Sequence, residues 1–114
     1  MFRITQEHEE SLGAAKFERF VHRTTGGICE TFGVAPESTL PTIESLAETG
    51  YALGFNGVGE LRRFINLAFA ANVQISDPGI RSNISAQLSD QSQPTPARLQ
   101  NATRTLLRHG REAT

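Results

Sequence analysis

With one cysteine, Cys29, in 114 residues, the chain can form neither an internal disulfide nor a cysteine-built metal cluster. It contains no run of 18 apolar residues, the length a membrane-spanning helix requires. The opening residues, MFRITQEHEE, turn acidic where a secretory leader would place a basic and then an apolar stretch. These three absences together set a reducing, cytoplasmic location as the expectation. Neither sign of charge dominates: 11 Lys and Arg stand against 12 Asp and Glu, for a formal net charge of −1. The chain therefore lacks the basic excess that draws a protein to phosphate backbones. No self-similarity at a spacing of about 20–50 residues is present, which excludes a solenoid.

Tryptophan is absent and tyrosine occurs once, but seven phenylalanines and a 38% hydrophobic content supply one modest core. A chain this short accommodates one domain, since separate cores need on the order of 100 residues each. Apolar spacing is helical throughout. A first helix is expected over residues 5–32, opening at Thr5 and burying Phe17, Phe20, Val21, Thr24, Ile28 and Phe32 at i, i+3, i+4 intervals. Gly26 and Gly27 interrupt that pattern, each weakening a helix by about 1 kcal/mol relative to Ala, and mark a kink or a break. Gly33 reads as its stop and residues 33–40 as a loop with two prolines nearby.

Pro41 suits the first position of a second helix, 41–53, burying Ile43, Leu46, Ala47 and Gly50. Gly54 provides the left-handed residue after it, with Phe55 folding back as the apolar contact. Asn56 is the expected cap of a third helix, 57–71, in which Val58, Leu61, Phe64, Ile65, Ala68 and Phe69 form the cleanest apolar face. A short fourth helix, 79–89, carries Ile80, Ile84 and Leu88. The polar SDQSQPTP stretch separates it from a fifth, 96–109, capped by Thr95 and ending near Gly110. The acidic start (Glu7, Glu9, Glu10, Glu18) and the arginines of the end (Arg98, Arg104, Arg108, Arg111) read as ordinary helix-dipole complementation. The fold expected is all-α, a single compact domain of about five helices covering 1–114.

Chemistry-bearing constellations are sparse. His22 and Cys29 share a helical face but stand two turns, roughly 10 Å, apart, too far for a nucleophile–base pair. No two histidines occur at i, i+3 or i, i+4, and Glu7, His8 and Glu10 read as a solvated first turn rather than metal ligands. The glycines of GFNGVGEL lack both the Lys-Ser/Thr ending of a P-loop and the preceding strand of a dinucleotide-binding turn. No catalytic, cofactor-binding or metal residue is therefore assigned, no cofactor is expected, and the chain is read as a non-enzyme.

Two resemblances bear on function. The stretch IESLAETGYALGFNGVGELRRFINLAF, from Ile43 to Phe69, resembles the second helix-turn-helix of AraC-type regulators, which implies DNA reading through Glu60, Arg62 and Arg63. A broader one joins MFRITQEHEESL, FERFVHR, LAETGYALGF, ELRRFINLAF and the tail ARLQNATRTLL. Together these resemble a group of small helical proteins encoded with spike, tip and effector components of bacterial type VI secretion systems. That likeness implies an adaptor or co-chaperone for an effector or its loading chaperone; the chain departs from the group at Gly26–Gly27, where a continuous first helix is expected.

Three functions follow as expectations: the adaptor, a cytoplasmic immunity protein bound to a cognate toxin, and a DNA-binding regulator. For partner binding the candidate residues are those that spill off the core stripes: the apolar anchors Tyr51, Leu53, Phe55 and Leu67, with Arg62 and Arg63 as charged rim contacts. A modest core could also complete its burial across a two-fold axis, which leaves a homo-oligomer open.

Overall fold

A computed structural model describes residues 14–113 and shows five α-helices: α1 (Ala14–Phe32), α2 (Pro36–Ala52), α3 (Val58–Gln74), α4 (Pro78–Leu88) and α5 (Thr95–Ala113). No strand occurs among the described residues. The helices form a slab of 45 × 36 × 20 Å, whose thin dimension is that of two helix layers. Helix α3 is the centre, packed between α2 and α5, with α4 clasped mainly to α5 and α1 mainly to α2. Leu61, Phe64, Ile65, Leu67, Ala70 and Ala71 are all buried, so α3 hides most of its surface, with Arg63, Asn66 and Val73 left exposed. Outer helices bury one stripe each: Phe20, Val21, Thr24 and Ile28 on α1, Ile43 and Ala47 on α2, Ile84 and Leu88 on α4, Leu99 and Ala102 on α5.

Helix boundaries follow the expected signals at some ends and correct them at others. The expected start at Thr5 lies outside the described residues. α1 continues unbroken through Gly26 and Gly27, and no atom lies within 4 Å of a Cβ built on either. α2 begins at Pro36, so residues 36–40, expected as loop, are helical, and Pro41 sits inside the helix. Pro36 takes the favourable first place, with the Thr39 N–H bonded to the Ala35 carbonyl at 3.2 Å. Starting there buries Thr39 and packs Leu40 on the core, which offsets the hydrogen bond that Pro41 cannot donate. Pro41 and Glu37, whose carbonyl loses that partner, are both exposed to water.

The α2–α3 corner closes as the sequence indicates. Gly54 has φ +106°, the Gly54 N–H donates to Tyr51 O at 3.1 Å, and the Phe55 N–H donates to Gly50 O at 3.0 Å. Those two bonds are the 5→2 and 6→1 pair of a Schellman motif. The α3 cap is Gly57, not Asn56; the Asn56 N–H is held by the Gly54 carbonyl at 3.0 Å, still within the corner. α3 also runs past 71 to Gln74, where the buried Ile75 anchors its exit. Asp77 caps α4 by accepting the Gly79 N–H at 2.8 Å, starting it at Pro78.

α5 differs most from expectation. It begins at Thr95, whose hydroxyl donates to the Glu60 carboxylate at 3.0 Å instead of capping, and it continues through Gly110 to Ala113. Its buried face is turned toward Arg98, Leu99, Ala102 and Thr105, leaving Leu107 56% exposed; Val58 on α3 is likewise 44% exposed. Two polar contacts to α4 set that rotation. Thr105 Oγ1 donates to Gln87 Oε1 at 3.0 Å, and the buried Arg98 guanidinium binds three carbonyls. Its Nε donates to Gln93 O at 2.9 Å, and its Nη1 to Leu53 O at 2.7 Å and to Leu88 O at 3.5 Å. The Phe55 ring lies 5.3 Å below the guanidinium carbon.

Gly50 is where α2 meets α3: a Cβ there would stand 2.6 Å from Phe64 Cδ2 and 2.8 Å from Leu61 Cδ1. In urea titrations Gly50→Ala should destabilise the protein by about 1–3 kcal/mol through overpacking. Gly26→Ala and Gly27→Ala, facing open space, should each stabilise it by roughly 0.5–1 kcal/mol. Arg98→Ala should cost about 3 kcal/mol or more by leaving buried carbonyls unpaired, with Arg98→Lys recovering only part; equal denaturation midpoints for Arg98→Ala and wild type would contradict this role.

Candidate functional site

The six residues expected to contact a partner do not form one site. Phe55 is fully buried, its ring 5.0 Å from that of Phe64, and belongs to the core. Tyr51 is half-buried on α2. Leu53 lines a cleft between α2, α3 and α4. Arg63 and Leu67 come together in a groove between α1, α3 and α5, floored by Phe32, Leu67, Ala70 and Leu106. Arg62 lines the continuation of that groove along α1, which shares Thr31 and Asn66 with it and adds Arg23 and Thr24.

This groove exists because α1 touches α3 only lightly and makes little or no contact with α5. Among the described residues, one side of the central helix is thereby left without a covering helix. Val73, 51% exposed, lies one turn beyond Ala70, and Leu107 lies one turn beyond Thr103. The apolar floor therefore runs out to the surface at both flanks. Three cations border it, Arg23, Arg62 and Arg63, and none is paired with a carboxylate among the described residues. Arg62 rests over the Phe20 ring at 5.9 Å, a contact that orients a guanidinium while keeping its charge available. The spacing argument identified Arg63 and Leu67 but missed Val73 and Leu107. Val73 falls off the counted stripe, and the spacing Leu99, Ala102, Thr103, Leu106, Leu107 reads Leu107 as part of the α5 stripe.

Catalytic constellations do not assemble among the described residues. The exposed His22 donates from Nδ1 to the Glu18 carbonyl at 2.9 Å, and Cys29 is half-buried two turns away. No group of three or more His, Cys, Asp or Glu side chains that could hold a metal is found among the described residues; Glu7, His8 and Glu10 lie outside them. Asp90 is held below the usual carboxylate range, first by the Ser92 hydroxyl and then by the Ser92 N–H, at 2.6 and 3.0 Å. It is exposed in the α4–α5 turn and serves that turn. No helix among the described residues is long and apolar enough to cross a membrane.

No family model, no curated protein and no solved structure matches the chain.

At the α1 wall of the groove, the Thr24 hydroxyl is buried without a hydrogen-bond partner among the described residues, whereas neighbouring Thr25 donates to Val21 O at 2.7 Å. Thr24→Val keeps the shape and removes the desolvated hydroxyl, so it should raise stability by about 1 kcal/mol in chemical denaturation. Thr25→Val, which breaks a bond already made, should not.

Proposed function

We propose that the chain is a non-catalytic partner-binding protein that holds another protein in the groove between α1, α3 and α5. The observation that carries this reading is the uncovered side of α3. Leu67, Ala70 and Val73 with Phe32, Leu106 and Leu107 offer an apolar strip at the surface, edged by arginines that have no carboxylate partner among the described residues. An amphipathic helix fits such a strip by placing apolar anchors on the floor and carboxylates opposite Arg62 and Arg63. Within this class, the adaptor or co-chaperone role toward a type VI effector or its loading chaperone is favoured by the sequence resemblance, on the residues that carry it.

Reading of DNA by α3 is disfavoured on physical grounds. A recognition helix must present one free side to the major groove. The open side of α3 is recessed between α1 and α5 and floored by the apolar Leu67 and Ala70, and Arg62 is half-buried against Phe20.

Co-expression with candidate effector, chaperone and toxin chains tests the proposal. The wild-type protein should co-purify with one of them, and Val73→Glu and Leu107→Glu, both at exposed positions, should abolish the complex while leaving the helical circular dichroism intact. Glu44→Gln on the outer face of α2 should retain it. Growth rescue from a toxin would assign immunity, and improved effector secretion without rescue an adaptor. A complex that survives both groove substitutions would remove the groove from the interface.

A further inference from the structure

The opposite side of α3 carries a second concavity that the partner-binding groove does not use. Between α2, α3 and α4 a cleft of about 190 Å³ is floored by Leu46, Leu53, Phe64, Ala71, Ile84 and Leu88. It arises from side-chain size and helix placement. α3 presents the small Ala68 and Ala71 here, and α4, only 11 residues long, leans on α5 more than on α3. Arg81 stands at the mouth, half-buried. Its guanidinium has no hydrogen bond or ion pair among the described residues. Asp77, the carboxylate one turn before it on α4, is engaged in capping the Gly79 N–H. The other polar groups at the rim, Thr49, Asn72, Ser85 and Ser89, are neutral, and no carboxylate among the described residues lines the cleft.

An apolar chamber with one unpaired cation at its entrance has a definite complement. We infer that this cleft binds a small apolar monocarboxylate, with a phenyl ring or short alkyl chain on the apolar floor and its carboxylate on Arg81. Size sets the apolar part: a cavity of about 150 Å³ lined by aliphatic side chains holds benzene, and this one is slightly larger. Charge sets the polar part. A planar guanidinium takes a carboxylate in a two-bond fork, and a partly desolvated site strengthens that bond. A neutral or cationic analogue would leave the guanidinium unpaired or repelled. The carboxylate can belong to a free acid or to the C-terminal apolar residue of a polypeptide, which present the same chemistry to the site.

Titration of the full chain followed by amide chemical shifts and calorimetry decides the matter. The probes are 3-phenylpropionate, octanoate, octanol, octylammonium, and the peptide Ala-Ala-Phe with a free or an amidated C-terminus. The two free acids should shift amides of α2, α3 and α4 around the cleft, binding at least about tenfold more tightly than octanol, while octylammonium does not bind. Arg81→Gln should remove that preference and weaken the acids by about tenfold. Ala68→Leu, which fills the cleft, should abolish binding of all probes. Tighter binding of free Ala-Ala-Phe than of 3-phenylpropionate, lost on amidation, would identify a polypeptide C-terminus as the source; the reverse order would identify a free acid. Absence of saturable shifts at the cleft with either acid, or equal affinity for octanoate and octanol, would overturn the assignment. Neither result bears on the groove across α3, whose test uses other residues.

Discussion

The Arg98 guanidinium is the point at which two chain reversals meet, the α2–α3 corner and the α4–α5 turn. Its donors bind Leu53 O at the end of α2, Leu88 O at the end of α4 and Gln93 O in the turn that launches α5. Burying a cation costs several kcal/mol in desolvation. Here the compensation is distributed. Two of the acceptors are carbonyls at helix C-termini, where the macrodipoles concentrate negative potential, and the Phe55 ring adds its face at 5.3 Å. The same contacts remove orphan carbonyls that helix ends would otherwise bury unpaired. Because these acceptors belong to elements far apart in sequence, the bond set fixes where α5 lies across α2 and α4, which in turn fixes the turn of its buried face.

Phe55 links that polar junction to the core. Its backbone closes the α2–α3 corner on Gly50, and its ring stacks on Phe64 beneath the guanidinium. Gly50 completes the arrangement by contributing no side chain, so that Phe64 and Leu61 can occupy the space against the α2 backbone. Corner, core and cation are thus one unit of contacts. The polar partner Glu60, bound by Thr95 Oγ1 at 3.0 Å, pins the other terminus of the same region, the start of α3 to the start of α5. Rigidity of the centre follows from these cross-links, and it is the centre that holds both concavities open on either side.

Much of this was legible in the residues. Helix number, the stop at Gly33, the Gly54–Phe55 corner and the α3 stripe all follow from local rules of period and capping, because each depends on residues within about a turn or two of one another. What escaped is non-local. Pro36 and Pro41 carry the same local signal, and only the burial of Thr39 and Leu40 decides between them. Gly26–Gly27 reads as a kink or a break, yet tertiary burial of Thr24, Thr25 and Ile28 carries the helix through. Arg98 was read as one of a set of terminal cations, although its spacing with Leu99, Ala102 and Thr105 already placed it on the inward face. Charge outweighed periodicity in that reading, and the carbonyls that make burial tolerable are supplied by distant segments. Phe55 was counted both as the corner contact and as a surface anchor, and the packing against Phe64 leaves only the first.

The flatness of the slab connects architecture to function. Five short helices in two layers can surround a central helix only incompletely, since α1 is committed to α2 and α4 to α5. α3 answers this with small residues where a neighbour leans away: Ala70 on the side of the groove, Ala68 and Ala71 on the side of the cleft. Arginines without carboxylate partners among the described residues stand at both openings, Arg62 and Arg63 at one and Arg81 at the other. Unpaired cations beside apolar floors are poorly suited to holding the fold together, because exposed charge adds little stability. They are well suited to selecting an anionic, partly apolar occupant and rejecting a cationic one. The asymmetry between Arg98, saturated by carbonyls and sealed in, and these arginines, without a carboxylate partner among the described residues, therefore separates the cation that builds the domain from those that stand at its openings.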